Sequence, residues 1–138
     1  MKLVVDANII MSCLISGRDS DLLFSPHLDL YSPDLLFSEL RKHKQEIVLK
    51  SSLSEAKIEL LLILLEKQVN IISGNMFENL MLKAMKLLGE HKKDAPFIAL
   101  ALYLDCPFWT YEKRLAKLEE IEVITTPELR RKAGSFTA

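Results

Sequence analysis

The chain has 138 residues, a net charge of −1 and 49% hydrophobic content. It is long enough for one ordinary domain with a sizeable core, and its even charge balance does not by itself suggest a nucleic-acid binder, nor does it exclude one, because local patches matter more than the total. Two cysteines, Cys13 and Cys106, are too few for a disulfide framework and read as buried free thiols; the longest apolar run, Leu60–Leu65, is too short for a bilayer, and the start lacks a secretion signal, so a cytoplasmic protein with no membrane partner is expected.

The first element is a short apolar strand, Leu3–Val5, that ends on Asp6 and is followed by Asn8. A carboxylate at the carboxyl end of a buried strand costs free energy unless it is compensated, and in α/β sheets that end is where ligands and metals bind. Asp6 can also be read as the cap of the next helix, which begins near Asn8. A further helix covers Asp19–Ser25 and stops before Pro26. A second strand, Leu28–Tyr31, follows. Ser32 and Pro33 form a helix start signal, and this helix is expected to pass through Glu39 to about Leu49.

Ser54 can cap a helix carrying Ile58, Leu61, Leu62 and Leu65. Its Leu60–Leu65 segment is apolar all round, which predicts deep burial, with a homodimer contact as the second reading. A third strand, Asn70–Ile72, precedes a helix over Phe77–Leu88 that stops at Gly89. Asp94 and Pro96 open a helix reaching about Leu104. Strands at Phe108–Thr110 and Val123–Thr125 follow, and Thr126-Pro127-Glu128 begins a last short helix. Alternation of strands and helices predicts an α/β fold, a parallel sheet with helices on both faces. A single domain over residues 1–133 is expected, with a frayed tail at residues 134–138.

Four acids fall where elements begin or end: Asp6, Glu39, Asp94 and Glu112. Taken singly, each has an ordinary role as a cap or a solvated helix residue. Together they carry more information, because strand ends and the following helix starts of a parallel sheet converge on one edge. Four unpaired carboxylates in one cleft would repel each other and retain protons. A divalent cation removes that cost, and an oxygen-only set without clustered His or Cys favours Mg²⁺ or Mn²⁺. Such an ion can promote phosphoryl displacement. Bases flank three of the acids: Arg41, Lys42 and Lys44 after Glu39, Lys92 and Lys93 before Asp94, and Lys113 and Arg114 after Glu112. This pattern suits a protein that holds a polyanion over a metal.

These residues resemble the PIN-domain nucleases, including the VapC-type toxins of toxin–antitoxin pairs. The matching segments are Val4-Val5-Asp6-Ala7-Asn8-Ile9-Ile10, Ser38-Glu39-Leu40, Asp94-Ala95-Pro96-Phe97-Ile98-Ala99-Leu100-Ala101 and Trp109-Thr110-Tyr111-Glu112-Lys113. They occur in the family's order and cover nearly the whole chain. The resemblance implies a three-layer α/β/α sandwich and Mg²⁺- or Mn²⁺-dependent cleavage of RNA. It implies Asp6, Glu39 and Asp94 as catalytic metal ligands, Glu112 in the position of the fourth acid, and Asn8 and Thr110 as polar supports. Arg41, Lys42, Lys93, Lys113 and Arg114 are the candidate RNA contacts, and a cognate antitoxin is the candidate protein partner.

The last motif departs from the family pattern. The family usually carries Asp where Glu112 stands, often after Asn and two residues before another Asp. Here Tyr111 precedes Glu112, and Arg114 holds the later position. Two other functions therefore compete with the ribonuclease. One is a catalytically weak member that binds RNA or protein. The other is a receiver-like signalling domain, which would need paired acids after the first strand, where this chain has Asp-Ala-Asn.

Overall fold

The computed structural model describes residues 1–90 and 92–136, with side-chain surroundings through Lys132. Five strands form one parallel sheet: β1 (Lys2–Val5), β2 (Asp29–Pro33), β3 (Val69–Ile72), β4 (Phe108–Trp109) and β5 (Val123–Ile124), in the order β3-β2-β1-β4-β5. The helices are α1 (Ala7–Ser16), α2 (Ser20–Leu23), α3 (Leu35–Lys42), α4 (Lys44–Lys50), α5 (Glu55–Gln68), α6 (Met81–Leu88), α7 (Ala95–Leu104) and α8 (Thr126–Phe136). They flank the sheet, and the fold is the expected α/β/α sandwich.

The central strand explains the apolar start of the chain. Leu3, Val4 and Val5 are fully buried, because a parallel strand covered on both faces exposes neither side of its pleat. Leu3 pairs with Leu30 on one side, and Val5 with Trp109 on the other. The apolar helix α7 packs against β1, β2 and β4. Its Phe97, Ile98, Ala99, Leu100 and Ala101 are buried. Each large side chain removed from water here contributes on the order of 1.5–3 kcal/mol, so this region fixes the sheet on which the site is built.

Three local expectations are corrected. Ser32 and Pro33 do not open a helix; they end β2, opposite Ile71 and Ile72 of β3. The Ser32 hydroxyl is buried and donates to the Pro33 carbonyl at 2.9 Å, so it is spent locally rather than on a cap. The helix begins instead at Leu35, and it breaks at His43 (φ −102°, ψ 18°) into α3 and α4. The apolar burst in α5 is not buried all round. Ile58, Leu62 and Leu65 face the core, whereas Leu60 is 56% exposed and Ile63 and Leu64 are also exposed. A helix laid on the outer part of a sheet has only one face to bury. Finally, residues 77–80 do not join α6; a short 3₁₀ turn over Glu78–Leu80 precedes it.

Other signals are realised as read. Ser54 Oγ accepts from the Lys57 N–H at 3.3 Å and caps α5. Gly89, at φ 61°, stops α6, its N–H returning to the Met85 carbonyl. α8 runs through Phe136, taking up the first three residues of the expected tail at 134–138; residues 137 and 138 lie outside the described residues. Both cysteines are free thiols, Cys13 buried and Cys106 partly so. Burial pushes the Cys106 thiol up to about 11. No described helix is long and apolar enough to cross a membrane.

Candidate functional site

The strand order reverses at β1. The chain leaves β1 toward β2 and β3, then returns to place β4 and β5 on the other side. The carboxyl ends of β1 and β4 therefore border the crevice where α/β sheets bind ligands. Asp6 follows β1, and Thr110 follows β4. The Asp6 N–H donates to the Trp109 carbonyl at 2.9 Å, extending the ladder and fixing both residues side by side.

Asp6 is 3% exposed. It occupies the N-cap position of α1, yet its side chain makes no capping hydrogen bond. The Thr110 hydroxyl donates to Asp6 Oδ2 at 2.5 Å instead. Burial raises the Asp6 carboxyl from 3.8 to about 6. The Thr110 hydrogen bond and the Ala7 N–H oppose this, while the charges of Asp94 and Glu112 add to it. Asp6, Asp94 and Glu112 thus share one electrostatic environment, brought together from the two ends of the sequence.

Asp94 stands at the start of α7, again without a side-chain capping bond. The backbone N–H of Glu112 donates to Thr110 Oγ1 at 3.0 Å. One hydroxyl therefore orients two acids, donating to Asp6 and accepting from the Glu112 backbone. Arg114 completes the cluster. Its Nε donates to Glu112 Oε2 at 2.7 Å, and its guanidinium lies 3.8 Å from Asp94 Oδ2. A positive charge thus sits between two of the acids, at the position where the resembled family carries another Asp.

Glu39 stands apart from this group. Its side chain is 51% exposed, and its carboxylate faces Lys42 at 3.2 Å and His43 at 3.9 Å on its own helix. It is not among the main causes of the shift at Asp6. The candidate RNA contacts also separate. Arg41 reaches α5, pairing with Glu59 at 2.7 Å and with Glu66, and so ties two helices together. Lys42 is held by Glu39. Lys93 is exposed beside Asp94. Lys113 and Arg114 lie in the loop after β4 that carries Glu112.

The donors available are oxygens, which suits a hard divalent cation. A second observation points the same way: Asn8 Oδ1 is buried and has no hydrogen-bond partner. An unpaired buried amide oxygen costs free energy, and a cation is one group that could satisfy it. Among the described residues, however, no three His, Cys, Asp or Glu side chains stand close enough together to hold a metal. The donor chemistry fits such an ion. In the present arrangement Arg114 lies between Glu112 and Asp94.

The structure adds a network that the sequence did not reveal. The Tyr111 hydroxyl donates to Asp19 Oδ2 at 2.6 Å, and the Arg18 guanidinium lies 4.0 Å from the Tyr111 ring centre. Arg130 of α8 donates to Asp19 at 2.7 Å and to Asp21 at 2.8 and 3.0 Å. Burial, followed by Asp19, holds the Tyr111 phenol well above its usual range. The one signal in the sequence was the Gly17-Arg18-Asp19 turn, where Gly17 and Asp19 both adopt positive φ.

A parallel α/β sandwich with a buried carboxylate, Asp6, at its switch point defines a class of proteins whose ligands bind at the carboxyl ends of the strands. Within it, the chain belongs to the PIN domain family, whose model matches residues 4–129. In structure it is similar to VapBC2 from Rickettsia felis, solved bound to a DNA fragment from their promoter, at 12% identity and TM-score 0.69 over 91% of this chain and 98% of that one. It is also similar to PAE2754 from Pyrobaculum aerophilum, at 15% identity and TM-score 0.69 over 98% of this chain and 90% of that one. VapBC-1 from nontypeable Haemophilus influenzae gives 18% identity and TM-score 0.58 over 91% and 98%. At these identities the likeness shows the fold alone. A comparison with curated proteins gives no sequence match.

Proposed function

We propose that this protein is a metal-dependent endoribonuclease, and that it acts as the toxin of a toxin–antitoxin pair. The observation that carries the reading is the Asp6 carboxyl, buried at the switch point and raised to about 6 by burial, Asp94 and Glu112. A folded protein rarely retains such a cluster unless a ligand repays its cost. Membership of the PIN domain family supports the nuclease, and two of the similar structures are VapBC proteins, which supports an antitoxin partner.

Asp6, Asp94 and Glu112 would hold Mg²⁺ or Mn²⁺, with Asn8 Oδ1 as a neutral oxygen beside them. Glu39 belongs to the proposal as an outer carboxylate, since α3 follows β2, the strand next to β1. When bound, the ion would neutralise the acids and supply Lewis-acid chemistry to a phosphodiester. The chain's own contribution is orientation. Thr110 fixes the Asp6 carboxylate and the backbone at Glu112, and the sheet holds both in a water-poor crevice. Lys93 and Lys113 supply positive charge for the RNA backbone. Arg114 must yield Glu112 and Asp94 to the incoming cation.

The test combines Mn²⁺ titration by calorimetry with cleavage of a single-stranded RNA. Wild type should bind Mn²⁺ and cut; Asp6→Asn should do neither while melting cooperatively. Mn²⁺ binding without cleavage of any RNA would leave the alternative reading, a catalytically weak RNA- or protein-binding module. Its support is the Arg114 bridge across Glu112 and Asp94.

A further inference from the structure

A groove of about 210 Å³ opens beside the acidic cluster, lined by Arg18, Thr110, Tyr111, Lys113 and the Thr125–Pro127 turn. It shares Thr110 with that cluster, since the same residue donates to Asp6. Its two banks come from distant parts of the chain: the turn after α1 supplies Arg18, and the start of α8 supplies Thr125–Pro127. The banks are tied together. Arg130 of α8 bonds to Asp19 and Asp21 behind Arg18, and Trp109 Nε1 donates to Thr126 Oγ1 at 3.0 Å. Thr125 receives the Glu128 N–H at 3.4 Å and donates to the Glu128 carboxylate, a reciprocal cap that fixes the start of α8.

The chemistry of the lining is specific. Tyr111 is held by Asp19 through its hydroxyl and covered by the Arg18 guanidinium, 4.0 Å from its ring centre. Asp19 is largely engaged by Tyr111 and Arg130, and its contact with Arg18 is loose, at 3.7 Å. The Arg18 side chain is 59% exposed. A guanidinium seated over the ring and exposed to solvent thus presents cationic surface on its outer side. Lys113 makes no ion pair among the described residues, and its charge lies on the same groove. A planar cationic platform beside a second cation matches a nucleotide: the base stacks on the guanidinium plane, and the phosphate meets the lysine.

We infer that this groove is a nucleotide subsite that seats a base of a single-stranded RNA next to the acidic cluster. This rests on the ribonuclease reading for its orientation toward Asp6. Arg18 supplies the stacking plane, Tyr111 keeps that plane in place, and Lys113 binds the adjoining phosphate. The subsite sets which stretch of the strand lies across the acids.

The experiment uses the full chain in EDTA, so that binding is read without cleavage. The probe is a short single-stranded RNA carrying one 2-aminopurine, followed by anisotropy for affinity and by 2-aminopurine quenching for stacking. Wild type should bind and quench. Arg18→Ala should weaken binding about tenfold and abolish quenching, in line with the loss of one stacked base. Arg18→Lys keeps the charge without the plane, and should recover part of the affinity but not the quenching. Lys113→Ala should lower affinity and flatten the salt dependence while leaving quenching intact. Lys57→Ala, on exposed α5 surface, should change nothing. Equal affinity and quenching in wild type and Arg18→Ala would overturn the subsite, as would a wild type that binds no RNA. Binding with the expected Arg18 dependence in a protein that never cleaves would refute the nuclease reading and leave the subsite standing.

Discussion

The Thr110 hydroxyl lies 2.5 Å from Asp6 Oδ2, joining the ends of β1 and β4 across 104 residues of sequence. The same oxygen accepts from the Glu112 N–H at 3.0 Å. Replacing it with a methyl group removes two hydrogen bonds at once. Thr110→Val should therefore destabilise the protein by about 1–3 kcal/mol, because the Asp6 carboxyl and the Glu112 N–H lose their partner. Thr110→Ser should recover most of that loss. Urea denaturation of the three proteins decides it; a Val variant as stable as wild type would show that the hydroxyl does not organise the acids.

The raised Asp6 carboxyl has a defined pH signature. Its folded value, about 6, lies above the ordinary 3.8. Asp6 therefore favours the folded state fully below pH 3.8, and this contribution is lost as pH rises through about 6. At pH 8 the ionised carboxylate costs roughly 3 kcal/mol relative to a group with an ordinary value. Asp6→Asn should accordingly raise the melting temperature of the metal-free protein by several degrees at pH 8, with the gain shrinking toward pH 4. Thr110 can still donate to the amide oxygen, so the pair survives. Melting curves in EDTA across this range check the sign. A gain that does not change with pH would mean that Asp6 is not held as a strained acid.

Arg114 is the cation already in the cluster, 2.7 Å from Glu112 and 3.8 Å from Asp94. Arg114→Ala should free both acids for a divalent ion and tighten Mn²⁺ binding on the order of tenfold, or about 1.4 kcal/mol. The same change should lower the stability of the metal-free protein, because the acids then repel one another without compensation. Calorimetry with Mn²⁺ and melting in EDTA read the two effects separately. Mn²⁺ binding that is unchanged or weaker in Arg114→Ala would show that the guanidinium assists rather than obstructs.

Much of the fold was legible in the sequence because short runs rich in β-branched and aromatic residues mark the strands, and in β1 burial on both faces makes the run continuously apolar. All five strands fall where Val4-Val5, Leu30-Tyr31, Ile71-Ile72, Phe108-Trp109 and Val123-Ile124 mark them. Local signals failed where two meanings share one residue pair. Ser32-Pro33 is as compatible with a strand end as with a helix start, and pairing with β3 decided it. Leu60–Leu65 reads as fully buried because composition does not say how many neighbours surround a helix. The convergence of Asp6, Asp94 and Glu112 on one edge was readable from their positions at element ends. Arg130 and Tyr111 were not, because their partners Asp19 and Asp21 lie about a hundred residues away and no spacing rule links them. Glu39 shows the remaining limit. A motif placed it on the right helix, but the helix rotation left it facing Lys42 and His43.

The two glutamates can be ranked by experiment. Glu112 feels Arg114 and belongs to the environment of Asp6, whereas Glu39 pairs with Lys42 on the solvent-facing side of α3. Glu112→Gln should weaken Mn²⁺ binding more than Glu39→Gln, since a carboxylate beside the ion acts directly and an outer one acts through water. Glu112→Asp keeps the charge but shortens the reach, and should fall between wild type and Glu112→Gln. Glu39→Gln should lower Mn²⁺ affinity only slightly and leave the melting temperature nearly unchanged, because exposed ion pairs contribute little. Loss of cleavage in Glu39→Gln as complete as in Asp6→Asn would refute this ranking. It would require α3 to turn when the ion binds, carrying Glu39 away from Lys42 and into the crevice between β1 and β4.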